Sequence, residues 1–300
     1  MAAGRRMWGV TLTALGLLAA LAAGLAFAQW RWDAQTRRMR QRLAEQAAAP
    51  RVPRYSETEL AGLPPPVQRW FRRTLRDGQP MIRRARVHWT GEFNLGRPGA
   101  DRWVPFAAVQ DFVPGAPGFV WDARMPMAPG LTMRVRDALV EGGGSMQGAL
   151  LALLTVVDKR GGDALAEAAA RRYLAEAPWF PTALLPSQGV RWTGLDEWRA
   201  RATLETPGAT VAVEFHFDAD GRLERAYAPD HLYDNGKDPP SRHPWQGRYL
   251  SFTRFDGIEV PDEAVVEWLF PDAAFAYWKG RPVRIEFDDG PADGGAGARN

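Results

Sequence analysis

The segment GGDALAEAAARRYLAEAPWFPTALLP, residues 161–186, decides the fold, because its helical pattern is the plainest outside the N-terminal region. Residues 163–177 are rich in Ala, Leu and Glu, which favour helices. Asp163 is placed as the N-cap, and Pro178 predicts the end of the helix. On both sides of this segment the helical pattern gives way to an alternating one. The sequence therefore predicts one central helix between two blocks of another kind.

One face of the predicted helix carries residues at three- and four-residue spacings, so that face can lie on a core. It consists of Leu165, Ala168, Ala169, Arg172, Tyr173 and Glu176. Glu167, Arg171 and Ala175 would then face elsewhere. The Pro-Trp-Phe-Pro segment that follows is expected to fill the core with Trp179.

The flanking blocks, residues 81–157 and 189–287, are rich in Trp, Phe, Val, Thr and Arg and alternate with a period near two, which indicates β-strands. Short connections rich in Gly and Pro predict antiparallel meanders. The predicted strands of the first block are 85–95, 102–112, 119–127, 132–141 and 146–157. Those of the second block are 190–195, 198–205, 210–217, 222–228, 246–255, 264–270 and 275–287.

These patterns predict an α+β fold: a large, curved, half-barrel-like antiparallel sheet with a few packed helices, preceded by one transmembrane helix. One domain is expected over residues 55–288. It includes an early helix, Pro65 to Leu75, that opens with prolines. Residues 289–300 have the composition of a disordered tail.

Residues 1–30 are predicted to form a transmembrane anchor. No charged residue occurs from Met7 to Trp30, and such a helix would be about 36 Å long, enough to cross a bilayer. Trp8, Trp30 and Trp32 are placed as interfacial anchors. A signal peptide cleaved after Ala28 is the alternative, because residues 26–28 have the small-x-small form of a cleavage site.

Residues 31–54 are predicted to form a basic, solvated stalk or linker, with arginines near the lipid headgroups. Their positive charge exceeds that of Arg5 and Arg6, which by the positive-inside rule places the domain in the cytoplasm. A short tail followed by a long β-rich domain is instead typical of exported proteins. Both orientations stay open, and we favour the extracytoplasmic side.

Composition excludes several classes of protein. A hydrophobic fraction of 46% in 300 residues is ample for a core, and the chain has no Cys, which rules out disulfides and thiolate sites. Beyond residue 54 the chain holds 29 basic and 33 acidic residues. Nucleic-acid binding is therefore not expected, because it needs positive charge clustered on the folded domain.

The sequence shows no reaction. The four histidines are scattered without metal-ligand spacing, and neither a nucleophile elbow nor a phosphate-binding loop is present. We therefore expect no metal and no cofactor. A carboxylate pair for acid-base chemistry could be drawn from Asp122, Asp137, Glu176 and Glu267.

The strands are unusually dense in aromatic residues and Met. Core packing explains such residues in any β-rich fold, and the lining of an apolar cavity is the alternative. On the second interpretation, polar residues stand at the mouth of the cavity. The candidate ligand-binding residues are Trp103, Trp121, Arg124, Met133, Arg136, Arg172, Glu176, Trp245 and Trp268.

Several motifs, in their order along the chain, carry a resemblance. They are LPPPVQRWFRR from residue 63, WVPFAAVQDF from 103, PGFVWDARM from 117, RRYLAEAPWFPTALLP from 171, HPWQGRY from 243 and FAYWKGRPVRIEF from 275. Together they resemble a family of bacterial proteins with an N-terminal membrane segment and one domain of unknown function. More remotely, the layout is similar to that of the periplasmic lipoprotein carriers, which implies a half-barrel around an apolar cavity.

We therefore expect a membrane-held, non-enzymatic domain that binds a lipid or acyl chain in the concavity of its sheet. Two alternatives stay open. One is an envelope hydrolase with Glu176 or Asp122 as acid or base, and the other is a scaffold whose aromatic face meets a protein partner. The lipid interpretation expects a cavity of roughly 300 to 1,000 Å³.

Overall fold

The computed structural model describes residues 2–47, 52–236 and 238–288, and for residues 2–11 the backbone alone. The predicted disordered tail, 289–300, lies outside the described residues. Within the described residues, three helices and thirteen strands form the fold, with short 3-10 turns between them. The helices are α1 (Ala2–Glu45), α2 (Pro65–Thr74) and α3 (Asp163–Glu176).

Two consecutive blocks of strands build one sheet, as the alternating pattern predicts. The first block comprises β1 (Arg84–Asn94), β2 (Trp103–Val113), β3 (Gly118–Ala128), β4 (Leu131–Val140), β5 (Gly143–Leu150) and β6 (Leu154–Arg160). The second comprises β7 (Arg191–Gly194), β8 (Arg199–Thr206), β9 (Ala209–Phe217), β10 (Leu223–Tyr233), β11 (Ser241–Phe255), β12 (Ile258–Leu269) and β13 (Ala274–Asp288).

Each block is an antiparallel meander, and the two meet where the first strand pairs with the last. The order across the described sheet is β6-β5-β4-β3-β2-β1-β13-β12-β11-β10-β9-β8-β7. The junction of β1 and β13 runs from the pair Arg84 and Asp288 to the pair Phe93 and Trp278. The outer edges are β6 and β7, and α3 lies between them in the chain.

The sheet curls until a hairpin turn of one block touches a hairpin turn of the other. Gly142, in the turn between β4 and β5, approaches Gly208, in the turn between β8 and β9. A Cβ on Gly208 would lie 2.1 Å from the carbonyl oxygen of Gly142, so only glycine fits there. The first turn of α3 covers this contact, because Ala166 lies against Gly208. The curved, open sheet therefore encloses a concave face with α3 inside.

The predicted central helix forms, with two corrections. The N-cap is Gly162, and Asp163 is the first helical residue. Arg171 and Ala175, expected to face away from the core, are buried. The physical reason is the position of α3 inside the curved sheet, where it packs on strands of both blocks. A helix enclosed in this way has little solvent-facing surface.

One predicted strand is wrong. Residues 146–157 are a hairpin of β5 and β6, turned by Leu151 and Ala152, which have positive φ angles of 56° and 58°. No Gly, Pro, Asn or Asp marks this turn, so the continuous apolar run predicted a single strand. The carbonyl group of Thr132 accepts a hydrogen bond from the Leu151 N–H at 2.8 Å and holds the turn.

Helix α2 confirms the predicted early helix, and one apolar stripe of it faces the core. Val67, Trp70, Phe71 and Leu75 are all buried. Arg73 at the end of the helix forms an ion pair with Glu259 on β12. Trp179 fills the core as expected: it is buried, donates a hydrogen bond to the Pro261 carbonyl at 2.8 Å and packs edge-on against Trp89.

Helix α1 is continuous from the apolar segment into the predicted stalk. The side chains of residues 12–24 are exposed, whereas Ala28, Trp32, Thr36 and Leu43 are buried against the outer, convex face of the sheet. Leu43 packs with Val113, Val120 and Ala138. The second half of α1 is therefore docked on the domain and is not a solvated stalk.

Two arginines of β4 are buried beneath α1. Arg134 forms ion pairs with Asp122 and Asp33 at 3.0 and 2.9 Å. Arg136 donates hydrogen bonds to Thr36 and Gln147. Burial lowers the pKa of Arg136 to about 10. Polar groups from the helix and the sheet thus bind both guanidinium groups, and Nε of Arg134 has no hydrogen-bond partner among the described residues.

Among the described residues, α1 is the one helix that is long and apolar enough to cross a membrane. A signal sequence near an N-terminus has the same length and composition. The candidate segment begins at Leu12, and the helix continues to Glu45.

Candidate ligand cavity

A cavity of about 430 Å³ lies between α3 and the concave face of the sheet. Its volume falls within the range expected from the sequence. Both blocks contribute to its wall: β1 and β3 to β6 from the first, and β10 to β13 from the second. Because α3 spans the space between the blocks, it forms the remaining wall. Trp179 contributes from the segment after the helix.

Aromatic side chains of the second block make up one wall. The ring of Trp268 is stacked on His231 and on Tyr277, with centroid distances of 5.4 and 6.1 Å. Tyr233 meets the same indole edge-on at 5.0 Å. The indole N–H of Trp245 donates a hydrogen bond to the Tyr277 hydroxyl at 3.0 Å. These mutual contacts fix the rings, so the wall is both apolar and rigid.

A charged cluster centred on Arg172 also lines the cavity. The guanidinium group binds Glu176 at 2.8 Å, one turn along α3, and also binds Asp137 on β4. Its carbon atom lies 5.4 Å from the centroid of the Trp121 ring. The amide of Gln110 donates a hydrogen bond to the second oxygen of Glu176 at 2.7 Å. One arginine is thus shared between two carboxylates.

Burial and neighbouring charges shift the pKa values of Glu176 and Arg172 in opposite directions. Burial raises the pKa of Glu176, against the opposing effects of Arg172 and the Gln110 hydrogen bond. Burial disfavours the charged form of Arg172, but Glu176 and Asp137 together raise its pKa above the ordinary value. The arginine therefore stays charged, and a proton on Glu176 is less costly than on an exposed glutamate.

Two polar atoms at the cavity have no hydrogen-bond partner among the described residues: Nε1 of Trp121 and Nδ1 of His231. Both side chains are buried and line the cavity. Burial lowers the pKa of His231 to about 3, so the ring is neutral at physiological pH. Buried polar groups in native proteins usually have a partner. These two atoms are exceptions to that rule among the residues that line the cavity.

The rim of the cavity carries both apolar and charged groups. Leu95, after β1, is exposed and lines the cavity. Lys159 on the edge strand β6 forms an ion pair with Asp234, after β10, and both line the cavity. This ion pair joins the first block to the second at the rim. Lys159 is thereby the main reason that the pKa of Asp234 is lowered.

The structure brings five of the nine predicted ligand-binding residues together at this cavity. They are Trp121, Arg172, Glu176, Trp245 and Trp268. Met133 lies on the same face of β4 as Asp137 and packs on the core, but it does not line the cavity.

The other three predicted residues lie on the convex face. Trp103 packs under the ammonium group of Lys279, which lies 4.1 Å from the centroid of its ring. Arg124 lines a groove beside α1, and Arg136 is buried beneath that helix. The period of two explains the difference, because Arg124 and Arg136 are each an odd number of residues from Trp121 and Met133 on their own strands.

Two of the four candidate carboxylates belong to other places in the fold. Asp122 faces α1 and pairs with Arg134. Glu267 faces outward, where it accepts hydrogen bonds from Gln246 and Arg248 at 2.6 and 2.8 Å. Asp137 and Glu176 remain near each other, both bound to Arg172. No group of metal-ligating side chains occurs in the part of the chain that the structure describes.

The sequence interpretation missed His231, Tyr233, Tyr277 and Gln110. The period of two within β13 would have placed Phe275 and Tyr277 on one face, the face that lines the cavity. No sequence signal identified Gln110, since a single glutamine on a strand has no distinctive pattern. Its role depends on α3 bringing Glu176 over β2.

The fold and the cavity define a class of protein: a curved antiparallel sheet that encloses an aromatic cavity beneath a central helix, with an apolar helix in front. The chain belongs to the DUF6544 family, a family of unknown function, whose pattern matches residues 53–280. This agrees with the resemblance seen in the sequence motifs. A comparison with proteins of curated function finds no match.

The solved structures that are similar to this chain include the following two. One is a LolA superfamily protein from Nitrosomonas europaea, with 10% identity and a TM-score of 0.37, over 69% of this chain and 87% of that chain. The other is a β-barrel-like protein of the DUF1849 family from Brucella abortus, with 9% identity and a TM-score of 0.22, over 69% and 99%. At these TM-scores, neither similarity bears on the function of this chain.

Proposed function

We propose that the domain is a non-enzymatic, membrane-held binding module for a lipid or acyl chain, taken up in the cavity between α3 and the sheet. The observation that carries the proposal is the aromatic wall around Trp268. An apolar chain can lie against rings that already satisfy one another, without separating any polar pair.

The polar atoms at the cavity add a chemical requirement. A ligand with a hydrogen-bond acceptor, such as a carboxyl or ester carbonyl, would satisfy the buried Nε1 of Trp121. The neutral ring of His231 can accept or donate according to its tautomer. An acyl chain with one oxygen-bearing end therefore fits better than a pure hydrocarbon.

The cavity also holds the residues of the alternative, a hydrolase with Glu176 as acid or base. In its favour, burial raises the pKa of Glu176, as general acids require. Against it, Arg172 and Gln110 occupy both oxygens of this carboxylate. The second carboxylate, Asp137, is bound by the same arginine. We therefore favour binding without catalysis.

Gly247 allows a direct test, because it lies on β11 in the cavity wall and a Cβ there would meet no atom within 4 Å. Gly247→Leu should fill the cavity without a clash. The full-length protein would be titrated with a dansyl-labelled fatty acid, and energy transfer from tryptophan would report binding. We expect saturable transfer in the wild type and its loss in Gly247→Leu.

Leu250→Phe is the matched control, because Leu250 is an exposed residue of the same strand on the opposite face. It should bind like the wild type. Equal binding by Gly247→Leu would refute the cavity as the site, and absence of saturable transfer in the wild type would refute an acyl ligand. Native mass spectrometry of the purified protein should show a bound lipid in the wild type and less in Gly247→Leu.

The same preparation separates binding from hydrolysis. Incubation of the wild type and of Glu176→Gln with a dansyl-labelled acyl ester should leave the ester intact in both samples. Cleavage by the wild type that Glu176→Gln abolishes would replace the proposal with the hydrolase.

A further inference from the structure

The hairpin of β5 and β6 presents an apolar tip to solvent. Residues 148–157, GALLALLTVV, contain no charged side chain. Leu153, Leu154 and Val156 are 44%, 61% and 60% exposed. Strand β6 is also an edge of the sheet that the described residues form. An exposed apolar edge of this kind favours association with another apolar surface.

This tip is fixed to α1 at the point where the helix leaves the domain. The amide nitrogen of Gln29 donates a hydrogen bond to the Leu151 carbonyl at 3.0 Å. Its amide oxygen accepts one from Arg134 at 3.0 Å. Trp32 packs in a small buried cluster with Ala149 and Ala152. These contacts fix the position of the tip along α1 and join both to the rest of the domain.

The contact lies at the height of an exposed aromatic pair on α1. Phe27 and Trp30 are 60% and 59% exposed, and their rings are stacked with centroids 5.7 Å apart. Gln29 is within two residues of both, which is about 3 Å along the helix axis. Aromatic side chains at the end of an apolar helix mark the interface between membrane and water. The hairpin tip is therefore level with that interface.

The direction of α1 confirms which end of the sheet faces this interface. At the other end of the docked segment, Gln46 binds the Ala116 carbonyl and the N–H of Glu141. Gln46 follows Gln29 by 17 residues, or about 25 Å of helix. The helix therefore crosses the convex face from the hairpin tip to the opposite turns, and the tip is the end nearest the apolar segment.

We propose that the tip of this hairpin, Leu151 to Val156, inserts into the interfacial layer of the bilayer from which α1 emerges. This rests on the proposed membrane anchoring. The partner is a lipid surface and not a second protein, because the exposed apolar side chains of the tip continue those of α1. Exposed basic residues, among them Arg31, Arg37 and Arg38, follow on the helix and suit anionic headgroups.

The absence of Cys from the chain allows a clean test with single-cysteine variants of the full-length protein. Leu154→Cys, Leu17→Cys and Glu45→Cys would each carry a bimane label in nanodiscs of phosphatidylcholine and phosphatidylglycerol. Leu17 is an exposed residue of the apolar segment, and Glu45 is exposed about 24 Å beyond Gln29 along the helix. Spin-labelled lipids quench from the bilayer, and iodide quenches from water.

We expect spin-labelled lipids to remove most of the emission from the labels at residues 154 and 17, and iodide to quench the label at residue 45. If the label at residue 154 behaves like that at residue 45 while residue 17 is quenched by lipid, the anchor stands and the inserted hairpin is refuted. Protection of residue 154 from both quenchers would assign the tip to another protein molecule, which also refutes the proposal. Failure at residue 17 would refute the anchoring itself.

Discussion

The guanidinium carbon of Arg136 lies 4.6 Å from the centroid of the Trp32 ring. The arginine belongs to a strand of the sheet and the tryptophan to the N-terminal helix, so this stacking joins the apolar segment to the domain. Trp32 also lies over Arg134 at 5.5 Å and donates a hydrogen bond to Asp122 at 3.0 Å. A single side chain thus covers two buried charges.

Trp32→Ala should therefore destabilise the protein by about 3 to 5 kcal/mol, because it removes a buried aromatic and uncovers two guanidinium groups. Urea unfolding of the full-length protein in detergent would measure the change. Trp30→Ala is the control, since Trp30 is exposed two residues earlier. Equal stability of the two variants would mean that α1 is not docked.

Trp179→Ala should lower the free energy of unfolding by about 3 to 5 kcal/mol, because the indole is buried against Trp89 and Tyr249. The substitution also removes the N–H that donates to the Pro261 carbonyl. Trp198→Ala should cost less than about 1 kcal/mol, since Trp198 is 40% exposed. Denaturant midpoints of both variants would check the difference, and an unchanged midpoint for Trp179→Ala would contradict the core position.

His231 should make stability fall in acid. Its pKa is lowered to about 3 in the folded state, so its contribution is present above the unfolded pKa, near 6.5, and is lost as the pH falls from there towards 3. In the steepest part the loss is about 1.4 kcal/mol per pH unit. His231→Phe keeps a ring between Trp245 and Trp268 and removes this loss.

The measurement is the free energy of unfolding of the wild type and of His231→Phe between pH 4 and 7, a range in which most of this contribution is lost. His216, whose pKa burial lowers to about 4, acts in the same direction in both proteins and cancels in the difference. Parallel pH dependences would show that water reaches the His231 ring.

Glu176 should change the free energy of unfolding with pH in the opposite direction to His231. Burial raises its folded pKa, so its contribution is fully present below the unfolded pKa, near 4.3, and is lost as the pH rises through the folded value. Glu176→Gln should remove this loss, and the variant should gain stability relative to the wild type as the pH rises. The control Glu57→Gln alters an exposed pair with Arg72 and should change stability by less than about 1 kcal/mol. A constant difference between wild type and Glu176→Gln would contradict the raised pKa.

Much of the fold was predictable because the local signals agree with one another. Alternation along β1 to β4 and short connections define the meander, and the composition of α3 defines the one helix between the blocks. The hairpin at Leu151 was missed because its turn uses left-handed backbone at two ordinary residues. No local signal reports a turn that long-range contacts impose.

The apolar character of the cavity was predictable from the sequence, but only some of its lining residues were. Aromatic density predicted an apolar cavity, but Arg124 and Arg136 were assigned to it although they lie on the opposite face of their strands. Strict use of strand alternation would have excluded both. The docking of α1 was not predictable, because the side chains that hold it, among them Gln29, Trp32 and Thr36, contact buried arginines of β4 that the sequence cannot pair with them.

The pairing of β1 with β13 has a consequence for biosynthesis. Because Arg84 pairs with Asp288, one edge of β1 stays uncovered until β13, the last strand, has been made. Until then β1 exposes an open edge to other nascent chains, and contacts so distant in sequence fold slowly. Early docking of α1 on β2 to β5 would hold the unfinished half-sheet. The order of synthesis thus favours a domain whose sheet is completed in a single late step, once β13 has been made.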